Sequence, residues 1–271
     1  MHALIQWIIT TWSLHAFFLI CSNSLHCRVS ILLHNKSISI GVNSLIDQKD
    51  LAFLQDTLSF WKDLSDYQRK DLMPVIEKKH FHTGESMHGN SDHCSGLFLI
   101  HKGQVRVYII SESGKEITLY RLFDRDVCIF SAACIMKNIV FDIYIEVEKE
   151  TETYLIPTSV FRRLSGESLQ VQVFTNNLMA SRFTEVMWIM EQALFMSFDK
   201  RLANFLLEQS TIEASNTLEI THEKIANHLG TAREVVSRML KYFQNEGLVS
   251  VNRGTIEILN PIKLGQLIDG V

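Results

Sequence analysis

Thr221-His-Glu-Lys-Ile-Ala-Asn-His-Leu-Gly-Thr-Ala-Arg-Glu-Val-Val-Ser-Arg238 is the stretch whose reading decides the fold. Thr221 stands where it can cap a first helical turn, and Ile225, Ala226 and Leu229 fall on one face of that helix. Gly230 ends it, because a residue without Cβ takes the left-handed conformation at no steric cost. Thr231-Ala-Arg-Glu234 then has the spacing of a capping box, in which the threonine oxygen accepts a backbone N–H and the glutamate reaches back. A second helix is therefore predicted to begin at once. At ~100° per residue, Arg233, Glu234, Ser237, Arg238, Lys241, Gln244 and Asn245 share a polar arc, opposite Ala232, Val235, Val236, Met239, Leu240 and Phe243. After Gly247, the β-branched residues of Leu248 to Leu259 flank an Asn252-Arg253-Gly254 turn, which is a hairpin pattern. Two short helices at a tight turn, followed by a hairpin, make a winged helix-turn-helix. The small and β-branched residues Ala226, Gly230 and Val236 suit its close helix crossing.

The polar arc of the second helix fits the DNA major groove, where arginine bonds guanine O6 and N7 and glutamate accepts from cytosine N4. The competing reading is a solvated helix with a good cap, and Glu234 has a rival structural role in the capping box. Only motif detail separates the two.

That detail lies in Thr231-Ala-Arg-Glu-Val-Val-Ser-Arg238, then Leu240 and Gly247-Leu248-Val249, which resembles the recognition helix of the cyclic-AMP receptor protein and fumarate/nitrate regulator (CRP/FNR) superfamily. The resemblance implies a dimeric bacterial transcription regulator bound to double-stranded DNA at a palindromic operator. Position by position, it implies guanine contacts from Arg233 and Arg238, a cytosine contact from Glu234 and a DNA contact from Ser237. Lys241, Thr231, Thr221 and Arg253 complete the expected DNA face. RNA polymerase is a further partner if the regulator activates.

Composition agrees with such a protein without identifying it. At 271 residues, 46% apolar and 21% charged, the chain is long enough for two domains. Its net charge of -4 gives no global attraction to nucleic acid, so DNA binding must rest on a local patch. Between His222 and Arg253, Lys224, Arg233, Arg238, Lys241 and Arg253 outnumber Glu223, Glu234 and Glu246, a modest surplus that favours a homodimer pooling two patches. No nucleophile, base and orienter recur at catalytic spacing, so an enzyme is not expected. The cysteines, Cys21, Cys27, Cys94, Cys128 and Cys134, are odd in number and lack CxxC spacing, which argues against a disulfide framework or a simple zinc site. The expected compartment is a reducing cytoplasm.

Residues 3–21 are uncharged, apolar and almost long enough to span a bilayer, but lack the basic region and small-residue site of a secretory signal. The favoured reading is a start assigned too far upstream, with synthesis beginning near Val42 or Leu45. A membrane anchor is the alternative, and would make the chain a tethered sensor or interaction protein. Residues 1–48 are accordingly a doubtful extension, since the family resemblance starts only near Leu51.

Further along, Leu51, Leu54, Leu58, Trp61, Leu64, Leu72 and Val75 predict short helices leading into a domain. Strands are then expected over 96–101, 104–110 and 116–122, with turns at Lys102-Gly103 and Ser111 to Gly114, and Phe141 to Glu148 alternates cleanly. The expected class is α+β: an antiparallel, jelly-roll-like β-roll sensor domain over 49–164, a dimerisation helix over 165–197 and a winged helix-turn-helix over 198–271. The roll resembles the superfamily's cyclic-nucleotide-binding-like domain, with departures. Phe123 to Cys134 occupies the stretch of the phosphate cassette, Arg125 stands where a turn glycine usually sits, and no arginine occurs between Arg125 and Arg162. Without a cation and donors aimed at the phosphate, no cAMP response is expected.

The effector is therefore open. Cys94, Cys128 and Cys134 are candidates for redox or effector sensing, against the plainer reading that they pack. An iron-sulfur cluster is not expected, because the fumarate/nitrate regulator's N-terminal cysteine cluster is not reproduced. His80, His82, His88 and His93 make the entry to the roll histidine-rich, but no second element at ligand spacing is evident, so no metal site is assigned. Along the long helix, Met179, Phe183, Val186, Met190 and Ala193 recur at four and three as an a/d seam, with Leu178, Trp188 and Ile189 outside it. The hinge is read at Met196 to Asp199, with Asp199 available to cap the next helix.

Overall fold

The computed structural model describes residues 46–87, 96–129 and 142–269. The apolar stretch near the start, Cys21, Cys27, His88, His93, Cys94, Cys134 and Phe141 lie outside these residues. Among the described residues, no helix is long and apolar enough to cross a membrane.

The entry is helical, as its leucine spacing requires. Helix α1 (Gln48–Thr57) is closed by a capping box between Asp47 and Asp50, and α2 (Asp66–Leu72) by one between Ser65 and Gln68. These helices bury Leu54, Leu58, Trp61 and Leu72 against one side of the roll, together with Phe161 and Val171 from further along the chain.

The roll is built from β1 (Glu77–Phe81), β2 (Gly96–Ile110), β3 (Glu116–Leu122), β4 (Val127–Cys128) and β5 (Tyr144–Pro157), all antiparallel. The strand order is β1-β5-β2-β3, with β4 pairing β2. Its inner face holds Phe98, Val105, Val107, Leu122, Cys128, Ile145 and Val147. The two strands expected on either side of Gly103 are one strand, because Gly103 makes a bulge rather than a turn. The register of β2 against β5 shifts between Ile100 and Val105, and Gly103 has φ +126°. A Cβ there would stand 2.3 Å from Thr151 Oγ1, so only glycine permits the approach. Gly114, at φ +76°, does turn the next hairpin as expected. Arg125 takes φ +73°, the left-handed conformation that glycine adopts most easily, so the arginine keeps a backbone suited to a turn glycine while changing the side chain.

Helix α3 (Thr158–Glu167) and the 27-residue α4 (Leu169–Phe195) follow, separated at Ser168, whose extended backbone breaks the single helix expected from Ser165. The a/d seam is corrected by the packing. Met179 and Val186 are half-buried against the roll, and Arg182 between them is buried, so that side of α4 belongs to the chain's own sensor. Phe183, Met190 and Ala193 point outward. The outward stripe runs Val173, Asn176, Ala180, Phe183, Met187, Met190 and Leu194, again at three and four, with Phe183 66% and Leu194 65% exposed. The five predicted positions straddle two faces because they fall on the border between the roll side and the open side.

After an extended Met196, α5 (Phe198–Ile212) begins. Its cap position is Ser197, and Asp199 sits in the first turn, so the expected Asp199 cap is replaced by a favourable charge at the helix start. The head continues with β6 (Thr217–Leu218), α6 (His222–Leu229), α7 (Arg233–Asn245), β7 (Val249–Asn252), β8 (Thr255–Ile258) and α8 (Pro261–Asp269). Leu202, Leu206, Ile225, Ala226, Val236, Leu240, Phe243 and Ile256 form its core.

Candidate nucleic-acid interface

Helix α6 starts as its sequence dictates, with Thr221 Oγ1 accepting the Lys224 N–H at 3.1 Å. It ends at Gly230, φ +66°. The next step differs from the expectation. The Thr231 N–H bonds the Ala226 carbonyl at 3.1 Å, so Thr231 finishes the preceding helix instead of capping the following one. Ala232, with an extended backbone and no side-chain cap bond, is the cap of α7. No capping box forms, and the structural role that rivalled a DNA contact for Glu234 falls away.

The two arcs of α7 separate as the periodicity requires. Val236, Leu240 and Phe243 are buried, whereas Arg233, Glu234, Arg238 and Lys241 are exposed and make no ion pair with any described residue. Ser237 is placed differently from the rest of that face. Its hydroxyl donates to the Arg233 carbonyl at 2.9 Å, and its oxygen accepts from His222 Nδ1 at 2.8 Å. Burial, and then the neighbouring Arg233 guanidinium, hold His222 below the usual histidine range, which keeps it a neutral donor. Ser237 and His222 thereby tie the two helices together at the start of the reading helix. The wing carries exposed Arg253 beside Gly254, φ +77°, at the tip between β7 and β8, and β6 adds a third strand to that sheet.

A second feature, absent from the sequence reading, fixes the head against the sensor. At the centre is Glu148 of β5, whose side chain is 4% exposed. It accepts from Arg121 Nε of β3 at 2.8 Å and from Gln104 Nε2 of β2 at 2.8 Å. His228 of α6 inserts from the head, with Nε2 3.4 Å from Glu148 Oε1. Arg106 Nε donates to Thr118 Oγ1 at 2.9 Å, and Thr118 Oγ1 lies 2.8 Å from His228 Nδ1. Arg121 Nη2, which can only donate, stands 3.1 Å from His228 Nε2. Gln209 of α5 completes the network: with its amide oxygen turned to the roll, it accepts from Arg121 Nη1 at 2.7 Å. Ile117 of β3 bridges Leu229 beside this clamp. A cavity of about 240 Å³, lined among others by Tyr120, Trp188, Gln192, Arg201 and Glu208, opens next to it between roll, α4 and head.

Burial, and then the cations of Arg121, Arg106 and Lys224, push His228 well below the usual histidine range. The folded protein thus keeps His228 neutral where the unfolded chain takes up a proton, near pH ~6.5. The clamp's contribution is complete above that pH and is lost as pH falls toward the folded-state value. The thermal midpoint should therefore drop between pH 7.5 and 5.5, and His228→Gln should flatten that drop. An unchanged slope in the variant would remove His228 from the explanation.

Among the proposed effector cysteines, Cys128 is fully buried in β4 within the roll core, where the packing reading accounts for it. Cys94 and Cys134 fall outside the described residues. Arg182, a buried cation, enters the sensor from α4. It is engaged by Glu185 at 2.7 Å and lies over the Tyr120 ring at 4.8 Å.

Comparison with known proteins agrees with this architecture. Residues 78–168 match the cyclic nucleotide-binding domain and residues 200–267 the Crp-like helix-turn-helix domain. A solved structure from Eubacterium rectale, assigned to the CRP/FNR family of transcriptional regulators, aligns with a TM-score of 0.77 at 47% identity, covering 79% of this chain and 99% of that one. The regulatory protein HlyX of Actinobacillus pleuropneumoniae is 28% identical over 204 residues, 72% of this chain and 83% of that protein. The fumarate and nitrate reduction regulatory protein of Vibrio cholerae is 29% identical over 216 residues, 75% and 84%. A β-roll sensor joined by a long helix to a winged helix-turn-helix defines a DNA-binding transcription regulator. The chain belongs to the CRP/FNR family.

Proposed function

We propose that the chain works as a homodimer on a palindromic DNA site, reading bases with Arg233, Glu234 and Arg238 and gripping phosphates with Lys241 and Arg253. The observation that carries this reading is the pairing of Arg233, Glu234, Arg238 and Lys241 on α7, which make no ion pair among the described residues, with an exposed apolar stripe on α4. A surface helix carrying Phe183, Met187, Met190 and Leu194 toward solvent is costly alone, and a second copy buries the same stripe about a two-fold axis. Two heads related by that axis reach half-sites about one helical turn of DNA apart. Asn176, the one polar residue of the stripe, is suited to fixing register. The sensor does not respond to cAMP in this reading, supported by arginine at position 125 in place of a turn glycine and by the engagement of Arg182 with Glu185.

The stripe is tested by Phe183→Glu combined with Leu194→Glu, both outward and far from the roll core. Sedimentation equilibrium should move from dimer to monomer, and operator affinity should fall with it. A dimer that survives both substitutions would move the interface elsewhere.

A further inference from the structure

His80 closes β1 toward its end and His82 follows in the turn, so the two share the outward side of the strand, since residues two apart point the same way. The sequence offers them no ligand partner, but the sheet does. β5 runs antiparallel beside β1, with Glu152 opposite His80, and carries Glu150 to both rings. Glu150 Oε2 lies 3.1 Å from His80 Nε2 and 3.0 Å from His82 Nδ1. One ligand atom from each of the three residues falls within 4.8 Å of the others.

The carboxylate is held in place before any ion arrives. Its Oε1 accepts the Thr83 N–H at 3.1 Å. The turn carrying His82 and Thr83 is itself pinned, by the His82 N–H to Glu85 Oε2 at 2.8 Å and the Gly84 N–H to the Val147 carbonyl at 2.8 Å.

We propose that His80, His82 and Glu150 bind one divalent transition-metal ion of the zinc class. Two imidazoles and a carboxylate suit zinc, copper, nickel, cobalt or ferrous iron, whereas magnesium and calcium favour all-oxygen sets. Ligands at ~2.0–2.2 Å from a tetrahedral ion stand ~3.3 Å apart, and the two contacts of Glu150 are within a few tenths of that. All three side chains are exposed, so an ion enters from solvent and keeps a water in its open position. The site joins β1 to β5 two residues from Glu148, and the intervening Lys149 bonds Glu213, the residue that caps the end of α5, at 2.9 Å. An ion here would stiffen the part of the sheet on which the head rests.

The test uses the full chain, freed of metal by chelator, reduced, and titrated with cobalt(II) and then zinc(II). One cobalt equivalent should bind with visible d–d absorption and no thiolate charge-transfer band, and zinc should displace it. His80→Gln combined with His82→Gln should weaken binding by at least ~100-fold, more than the loss of a supporting partner alone costs. Its circular dichroism and its thermal midpoint in chelator should be unchanged, since both residues are on the surface. Absence of binding, a thiolate band, or equal affinity in the double variant would overturn the proposal.

Discussion

Arg233→Ala and Arg238→Ala should each weaken binding to the cognate palindrome by about 1–3 kcal/mol, while binding to random DNA changes little. The reason is geometric. Both guanidinium groups are exposed on the first turns of α7, and among the described residues neither has an ion-pair partner that would have to be broken before a base is met. A bidentate arginine on guanine discriminates by hydrogen-bond pattern, so its loss relaxes sequence preference at one position of each half-site. Lys241→Ala, on the same face but further along, should weaken all sequences alike and make the salt dependence shallower. Equal losses on specific and random duplexes for Arg233→Ala would make that residue a phosphate contact instead.

The second large effect is expected at the clamp. Arg121→Met leaves Glu148 charged and almost wholly buried, and Glu148→Gln does the same to Arg121, whose side chain is 6% exposed. Removing one member of such a pair destabilises by about 3–5 kcal/mol, because the survivor keeps its desolvation cost and loses its compensation. Arg121→Met combined with Glu148→Gln should recover a large part of that loss, since neither charge is then stranded. Denaturant unfolding of the singles and the double measures this coupling. Additive losses would mean that the two residues act separately and that the head is held by apolar contact alone.

The reading head was legible because its signals are local. Thr221, Gly230, the two arcs of α7 and the Asn252-Arg253-Gly254 turn each act within a few residues, and the structure places the helix faces and the wing as they require. The error there is instructive. Thr231-Ala-Arg-Glu234 has capping-box spacing, but the Thr231 N–H is claimed by Ala226, which delays the helix by one residue. Local pattern yielded to the geometry of the turn before it. In the roll, a glycine between alternating runs such as Gly103 looks the same in sequence whether the chain reverses or bulges; only the partner strand, with Thr151 against it, distinguishes them.

Long-range features were harder to see. The seven-residue repeat of α4 read from the sequence falls on the border between two faces, because Met179 and Val186 are apolar for the roll and Phe183 and Met190 for the open side. The clamp left no periodic trace at all. Gln104, Thr118, Arg121, Glu148, Gln209 and His228 come from five different elements and meet only in the folded chain. His228 alone offered a hint, as a large polar residue in a short helix whose other inward positions are apolar.

Selection of duplexes from a random pool by the full chain tests whether two heads read DNA through α7. Enrichment of a two-fold palindrome is expected, guanine-containing in each half-site, with half-site centres ~10–10.5 base pairs apart. Enrichment of a single asymmetric site, or no enrichment over the starting pool, would contradict a two-headed regulator reading DNA through α7.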